Sequence, residues 1–159
     1  MVLNLDGTDV KITPVTSSDM FFDMRGDGYQ HRTAWAAAGN GVLVLDLSGV
    51  GNVNQQKAFD FMAWDPSATS DMQALRDVFD TNHDGKLDAG DALWSEFKVL
   101  VTNPDGTTTL ETMAQLGITS IDLNPNNNNT VLTDGSEILG ETTFTKSDGT
   151  TGTAADKSI

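Results

Sequence analysis

Apolar residues occur in short runs along this chain, and the spacing within each run predicts its secondary structure. Residues 42–45 read VLVL, a continuous apolar run that is typical of a strand buried on both faces. Residues 118–123 read ITSIDL and alternate between apolar and polar side chains, as a strand with one buried face does. Residues 2–13 alternate around Asp6-Gly7, which predicts a short hairpin. The pattern therefore predicts several short antiparallel strands.

Two further segments show helical spacing, and an acidic loop separates them. In residues 70–79 the apolar side chains fall on one helical face, and Ser70 forms a capping box with Gln73. Beyond the loop, Asp88 can cap a second helix whose apolar side chains lie within residues 93–97. We therefore predict an α+β fold, in which short antiparallel strands and hairpins surround an EF-hand-like helix–loop–helix.

The loop between these helices, residues 80–91, reads DTNHDGKLDAGD and has the ligand spacing of a calcium loop. Calcium binds oxygen ligands, and a twelve-residue loop supplies them from its odd positions up to the ninth and from its twelfth. Gly85 at the sixth position permits the sharp turn that such a loop needs. The residues at the predicted ligand positions are Asp80, Asn82, Asp84, Lys86, Asp88 and Asp91. We predict that they bind Ca²⁺, with Lys86 contributing only its backbone carbonyl oxygen.

The twelfth position is the weak point of this loop. A glutamate normally binds calcium there through both carboxylate oxygens, whereas Asp91 is one methylene shorter. We expect a looser contact and a dissociation constant of roughly 10⁻⁴–10⁻³ M, the range of extracellular calcium modules. Zinc is disfavoured because the side-chain ligands are hard oxygens. The alternative interpretation is an acidic turn between two helices that binds no ion.

Other acidic stretches resemble incomplete copies of this loop. Arg25 and Lys57 stand in two of them at positions where a carboxylate is expected. One hypothesis is that these two side chains act as tethered cations in place of calcium, and the alternative is that they extend into solvent. A third stretch, residues 103–106, has lost its first and last ligands. The tentative further metal ligands in the chain are Asp6, Asp23, Asp27 and Asp46.

The composition of the chain restricts its partners. Its 159 residues include 9 Lys and Arg against 23 Asp and Glu, for a formal net charge of −14. An anionic surface repels phosphate backbones, so nucleic acid is not an expected partner. No apolar run is long enough to insert into a membrane. The sequence contains no Cys, which leaves neither disulfide nor thiolate chemistry. This composition suits a protein that is secreted or displayed on a bacterial cell surface.

Several motifs, in order along nearly the whole chain, carry a resemblance to a known family. They read LNLDG, FFDMRGDGYQHRTAW, GNGVLVLDLSGVGNV, VFDTNHDGKLDAGDALWSEFKVLV, LGITSIDL and TFTKSDGTTGTAAD. The chain resembles the calcium-binding region of secreted bacterial RTX-type proteins, and in particular the self-processing module of FrpC-like iron-regulated RTX proteins. The resemblance implies a module of a larger secreted polypeptide, exported by a type I system and folded by calcium.

The resemblance also implies an alternative function, calcium-dependent self-processing. Such a module cleaves an Asp-Pro bond at its own N-terminal edge, and the released aspartyl group joins to a lysine as an isopeptide. Here the chain starts with Met1-Val2, so the scissile bond is expected just upstream of Met1, and no catalytic residues are predicted within the chain. A third interpretation is a structural or adhesive segment with incidental metal binding. We predict one module over residues 1–145 and a flexible C-terminal tail over residues 146–159.

Overall fold

A computed structural model shows a fold built mainly from antiparallel strands. The structure describes residues 1–8, 10–14, 17–22, 27–47, 56–126, 130–131, 137–138 and 140–156. The strands are β1 (Val2–Asn4), β2 (Ile12–Thr13), β3 (Met20–Phe22), β4 (His31–Thr33), β5 (Trp35–Ala36), β6 (Asn40–Leu45), β7 (Lys86–Asp88), β8 (Phe97–Thr102), β9 (Thr108–Thr112), β10 (Ile118–Asp122), β11 (Thr130–Val131), β12 (Glu137–Ile138), β13 (Glu141–Lys146) and β14 (Thr151–Ala155).

Eight of these strands form the main sheet, which is curled into a half-barrel. Its order is β7-β10-β13-β14-β1-β6-β8-β9, and every neighbouring pair is antiparallel. Three two-stranded sheets pair β2 with β5, β3 with β4 and β11 with β12. The predicted hairpin of residues 2–13 does not form, because β1 pairs with β6 and β14 in the middle of the main sheet.

Short helical segments cover one part of the sheet. They are α1 (Gln56–Phe59), α2 (Asp71–Ala74) and α3 (Met113–Leu116), together with two 3₁₀ turns, Phe61–Trp64 and Trp94–Glu96. A π-helical turn, Leu75–Phe79, extends α2, so that residues 71–79 form one nine-residue helix. The Ser70 hydroxyl accepts a hydrogen bond from the Gln73 N–H at 3.2 Å, which confirms the predicted start of this helix.

The core lies on both faces of the central strands. In β6, Leu43 belongs to the cluster that packs beneath the helix of residues 71–79, whereas Val42 and Val44 belong to a second cluster on the opposite face. Phe61, Phe79 and other aromatic side chains fill the first cluster. All six residues of β6 are buried, so the prediction of a strand covered on both faces is confirmed.

The predicted EF-hand-like helix–loop–helix, and with it the predicted fold class, is wrong. The helix before the loop exists, but the segment after Gly85 enters the sheet as β7, where Leu87 is buried and pairs with Ile121 of β10. Asp88 caps no α-helix, because only the single 3₁₀ turn Trp94–Glu96 precedes β8. Residues 89–93 form turns and Phe97 already begins β8, so the segment predicted as the second helix contains no α-helix.

The end of the described chain is a strand. Thr151–Ala155 lies between β13 and β1 as β14, and Ala154 and Ala155 are buried. The sequence predicts a flexible tail over residues 146–159 because this terminal segment is rich in Gly, Thr and Ser. Within it β14 has a hydrogen-bonded strand on each side, and the flexibility of the tail stays a prediction. Among the described helices, none combines the length and the apolar character needed to cross a membrane.

Candidate functional site

Asp80, the first residue of the acidic loop, is buried at the end of the helix and organises the first half of the loop. Its two carboxylate oxygens accept hydrogen bonds from the N–H groups of Asp84 and Gly85, at 3.2 and 2.9 Å. Gly85 has φ +81°, a left-handed conformation that side chains with a Cβ rarely adopt. The carboxylate of Asp80 therefore holds the sharp turn that the sequence predicts at this position.

Asp91, the last residue of the loop, is also buried and ties the two halves of the loop together. One oxygen accepts hydrogen bonds from the N–H groups of Thr81 and Asn82, at 2.9 and 3.4 Å. The other accepts from the Asp88 N–H at 2.9 Å. One carboxylate thus joins the start of the loop to β7. The aspartate side chain is long enough for this role without the extra methylene of a glutamate.

Three more predicted ligands lie along the loop. The Asn82 amide donates to an Asp84 carboxylate oxygen at 3.3 Å, and both residues are exposed. Asp88 is half-buried and accepts from the Gly90 N–H at 2.8 Å. A Cβ placed on Gly90 would meet the end of the exposed Asn82 side chain, which can move away, and would lie 3.1 Å from the Asp88 carboxylate. Gly90 therefore lies close to both side chains.

The donor chemistry of this loop fits calcium. Its side chains offer carboxylate and amide oxygens, and a carboxylate oxygen that accepts one N–H retains a lone pair for a cation. Lys86 is exposed, so its ammonium group lies in solvent as expected. Within the described residues, no three Asp, Glu or His side chains are grouped as a metal site requires. The six-residue ligand set therefore stays a prediction.

The loop is connected directly to the hydrophobic core. The carbonyl oxygen of Gly85 accepts hydrogen bonds from the Leu123 N–H at 2.9 Å and from the Asn124 amide at 3.4 Å. The carbonyl of Leu123, which is itself buried, accepts from the Arg76 guanidinium of the preceding helix at 3.2 Å. Any change in the geometry of the loop is therefore transmitted to the helix and to β10.

Asp6, one of the tentative ligands, belongs to a tight turn after β1 and accepts a hydrogen bond from the Asn4 amide at 3.0 Å. It accepts hydrogen bonds from the N–H and the hydroxyl of Thr8, at 2.9 and 2.6 Å, and the next residue, Gly7, has φ +78°. The Thr8 hydroxyl is the main cause that lowers the pKa of Asp6 below its ordinary value. The same Asp-Gly-Thr geometry, with the same lowered pKa, recurs at residues 105–107 and 148–150.

Asp27 and Asp46, two more of the tentative ligands, have partners of their own. Asp27 accepts from the Tyr29 N–H at 2.9 Å and contacts the His31 ring nitrogen at 2.8 Å. Asp46 is buried, and one of its oxygens lies 2.8 Å from the Lys98 ammonium nitrogen. Asp23 and the side chains of Arg25 and Lys57 lie outside the described residues, so the tethered-cation hypothesis for those two cations stays a prediction.

A buried charged junction lies where β1, the helix start and the end of β14 meet; it consists of the Met1 amino group, Asp71 and Asp156. One carboxylate oxygen of Asp71 lies 3.3 Å from the Met1 nitrogen, and the other accepts from the Phe61 N–H at 3.1 Å. Asp156 accepts from the Met72 N–H at 3.1 Å. Burial is the main cause that raises the pKa of Asp156 above its ordinary value.

Comparison with known proteins identifies the family of this chain. A model of the SPM domain matches residues 1–159. The chain belongs to the SPM domain family. It is also 31% identical over 164 residues to iron-regulated protein FrpA of Neisseria meningitidis serogroup C, an alignment that covers 98% of this chain and 15% of FrpA. The predicted relationship to Frp-type iron-regulated proteins is thus confirmed at the level of the family.

The sequence does not predict two polar contacts of this SPM domain. Lys98 and Asp46 are 52 residues apart, and Met1 and Asp71 are 70 apart. Lys98 faces Asp46 because β8 pairs with β6, where Lys98 lies opposite Val44. The available signal was the apolar run of residues 99–101, which predicts a strand but not its partner. Neither contact was therefore accessible without the order of the strands.

Proposed function

We propose that this SPM domain is a calcium-binding module of a larger secreted RTX-type protein, in which the ion completes folding after export. The observation that carries the proposal is the loop of residues 80–91, where buried Asp80 and Asp91 accept hydrogen bonds from backbone N–H groups of the loop. Asn82, Asp84 and Asp88 add further side-chain oxygens along the same loop. The module is one part of a longer polypeptide in this proposal, in keeping with the 15% of FrpA that the chain spans.

The net charge of the chain explains how an ion would act as a folding signal. With a formal net charge of −14, the carboxylates repel one another in a medium poor in calcium. A cation bound only by the folded loop stabilises the native state by mass action, by about 1.4 kcal/mol at ten times its dissociation constant. Because the loop contacts the helix and β10, this stabilisation acts on the core.

A calcium titration of the unfolding temperature tests this proposal. We expect millimolar CaCl₂ to raise the unfolding temperature by about 3–6 °C, and a chelator to reverse the change. Asp80→Ala should abolish the response, whereas Asp105→Ala, which alters an exposed turn of similar composition, should preserve it. An unfolding temperature that does not change with calcium, or an equal response in Asp80→Ala, would contradict the proposal.

Self-processing is a second candidate function, and the family relationship to FrpA supports it. The test is a chain extended before Met1 by a carrier peptide that ends in Asp-Pro. We expect calcium to release the carrier, as measured by mass spectrometry, and an intact chain would contradict this function.

A further inference from the structure

We propose that the outer edge of β9 is a docking surface for an extended, basic segment of a partner protein, which adds to the main sheet as a further strand. β9 is the last strand in the order of that sheet, and β8 is its one neighbour among the strands that the structure describes. The inference concerns a different part of the fold from the acidic loop, and it does not depend on either function proposed above.

The register of the hairpin formed by β8 and β9 shows which backbone groups face outward. The Asn103 N–H donates to the Thr107 carbonyl at 2.8 Å, next to the start of the ladder. Hydrogen-bonded and non-hydrogen-bonded pairs alternate along an antiparallel ladder, so Thr109 and Glu111 direct their N–H and C=O groups towards β8. The other residues of β9 direct theirs away from the sheet.

Thr108 and Leu110 are the residues at these outward positions. Neither N–H group has a hydrogen-bond partner in the part of the chain that the structure describes. An extended peptide pairs with such groups when it adds to the exposed edge of a sheet. The Thr112 N–H, by contrast, donates to the Gln115 side-chain oxygen at 2.8 Å, so the open edge ends before Thr112.

The edge of β9 lacks the features that commonly prevent strand addition. Lysine, proline, a bulge or a very short strand protects many exposed edges. Residues 108–112 read TTLET and contain neither lysine nor proline, and they pair with β8 without a shift of register. β7, at the opposite edge of the same sheet, has only 3 residues, and one of them is the exposed Lys86. Of these two edges, β9 is therefore the one suited to binding a strand.

The charges at this edge favour a basic partner. Glu111 is half-buried and forms no ion pair with a described residue. Asp105 is exposed in the turn that precedes β9, and the Thr107 hydroxyl is the main cause that lowers its pKa, so its carboxylate is ionised at neutral pH. With a formal net charge of −14, the chain repels a second copy of itself and attracts lysine and arginine side chains.

The two faces of β9 favour alternating side chains in the partner. Glu111 lies opposite Val99, which belongs to the first core cluster, whereas the half-buried Leu110 packs against the second cluster on the other face. A strand added outside β9 places its side chains beside Leu110 and Glu111 in turn. The chemistry that fits this edge is therefore an alternation of apolar residues with lysine or arginine.

Binding of a synthetic peptide to the whole chain tests this inference. The probe is an acetylated and amidated heptapeptide of alternating lysine and valine, and the same peptide with glutamate in place of lysine is the control. At low ionic strength, we expect the basic peptide to shift the ¹H–¹⁵N signals of residues 107–112. At roughly nine-tenths saturation, hydrogen exchange of the Thr108 and Leu110 N–H groups should slow by about tenfold.

Two variants test the backbone and the charge separately. Thr108→Pro removes one outward N–H and keeps the pairing with β8, because proline is tolerated where the N–H faces away from a sheet. We expect it to weaken binding of the basic peptide by about fivefold. Glu111→Lys should also weaken binding by about fivefold. Asp148→Lys makes the same change in net charge at an exposed turn between β13 and β14, and it should bind almost as well as the unsubstituted chain.

The outcomes that would overturn the inference are distinct. Signal shifts that leave out Thr108 and Leu110, or equal binding of the acidic peptide, would exclude docking at β9. Equal losses in Glu111→Lys and Asp148→Lys would show a general attraction between net charges instead. Shifts in β9 that grow with protein concentration in the absence of peptide would make a second copy the occupant. If Thr108→Pro does not fold, Glu111→Lys against Asp148→Lys decides the question.

Discussion

The loop of residues 80–91 and the turn of residues 103–107 are similar in composition, since both combine Asn, Asp and a left-handed Gly. In the turn, Asp105 is exposed and its hydrogen bonds go to Thr107, two residues away. In the loop, Asp91 is buried and accepts from Thr81, ten residues away. An aspartate that satisfies its immediate neighbours only shapes a turn, whereas one that accepts from both ends of a loop holds those ends together.

This difference also separates the acidic segments that resemble one another in sequence. Asp6 and Asp148 belong to turns of the first kind, with a threonine hydroxyl as the local donor. Asp46 follows neither pattern, because a lysine from the neighbouring strand supplies its positive partner. Aspartate therefore occurs in three tertiary settings: across a loop, in an exposed turn, and beside a lysine. The groups that stabilise the carboxylate differ between them.

The largest expected effect comes from removing the carboxylate that spans the loop. Asp91→Ala leaves the N–H groups of Thr81, Asn82 and Asp88 without their acceptor, which should cost about 3 kcal/mol of the free energy of unfolding even in a chelator. The matched variant Asp105→Ala should cost far less, because water reaches its partners. Urea unfolding of both variants measures the contrast, and equal losses would show that the two acidic segments are equivalent.

A smaller loss is expected when the internal cation is removed. Lys98→Met leaves Asp46 buried beside an apolar side chain, and we expect the free energy of unfolding to fall by about 2 kcal/mol, less than for a fully buried pair because Lys98 is partly exposed. The double variant Lys98→Met with Asp46→Asn should recover much of this loss. Urea unfolding without calcium is the measurement, and a double variant no more stable than Lys98→Met would contradict the pairing.

The smallest expected effect is a difference in pH dependence between a buried and an exposed aspartate. The pKa of Asp156 is raised, so its contribution to stability is present below the ordinary value of 3.8 and is lost as the pH rises through the folded pKa. The pKa of Asp148 is lowered, chiefly by the Thr150 hydroxyl, so its contribution is present above 3.8 and is lost as the pH falls through the folded pKa.

Asparagine variants at these two positions measure the two contributions separately. Asp156→Asn should gain stability relative to the unsubstituted chain as the pH rises, by about 1.4 kcal/mol for each unit by which the pKa is raised. Asp148→Asn should lose relative stability as the pH rises from the folded pKa of Asp148 to about 3.8, and should lose no more above it. Urea unfolding from about pH 3 to 7 gives both slopes, and slopes of the same sign would show that burial does not distinguish the two sites.

The sequence determined the local features of this protein because their partners are close along the chain. The left-handed glycine of the loop, the cap at Ser70 and the buried strand at residues 42–45 each depend on neighbouring residues or on a continuous apolar run. The same reasoning failed after the loop, where helical spacing predicted an α-helix. Of the apolar side chains there, Trp94 lies in a 3₁₀ turn and Phe97 begins β8, whose pairing with β6 overrides the local preference.

Only the tertiary structure decided which distant groups meet. Lys98 reaches Asp46 across 52 residues, and Met72 contacts Asp156 across 84, because the strand order places them side by side. Antiparallel partners in this sheet are set by the burial of two hydrophobic faces at once, a condition on the whole chain rather than on any one segment. The sequence therefore determined where the acidic turns are. The packing of the sheet decided which aspartates are buried, and which of them lies beside a cation.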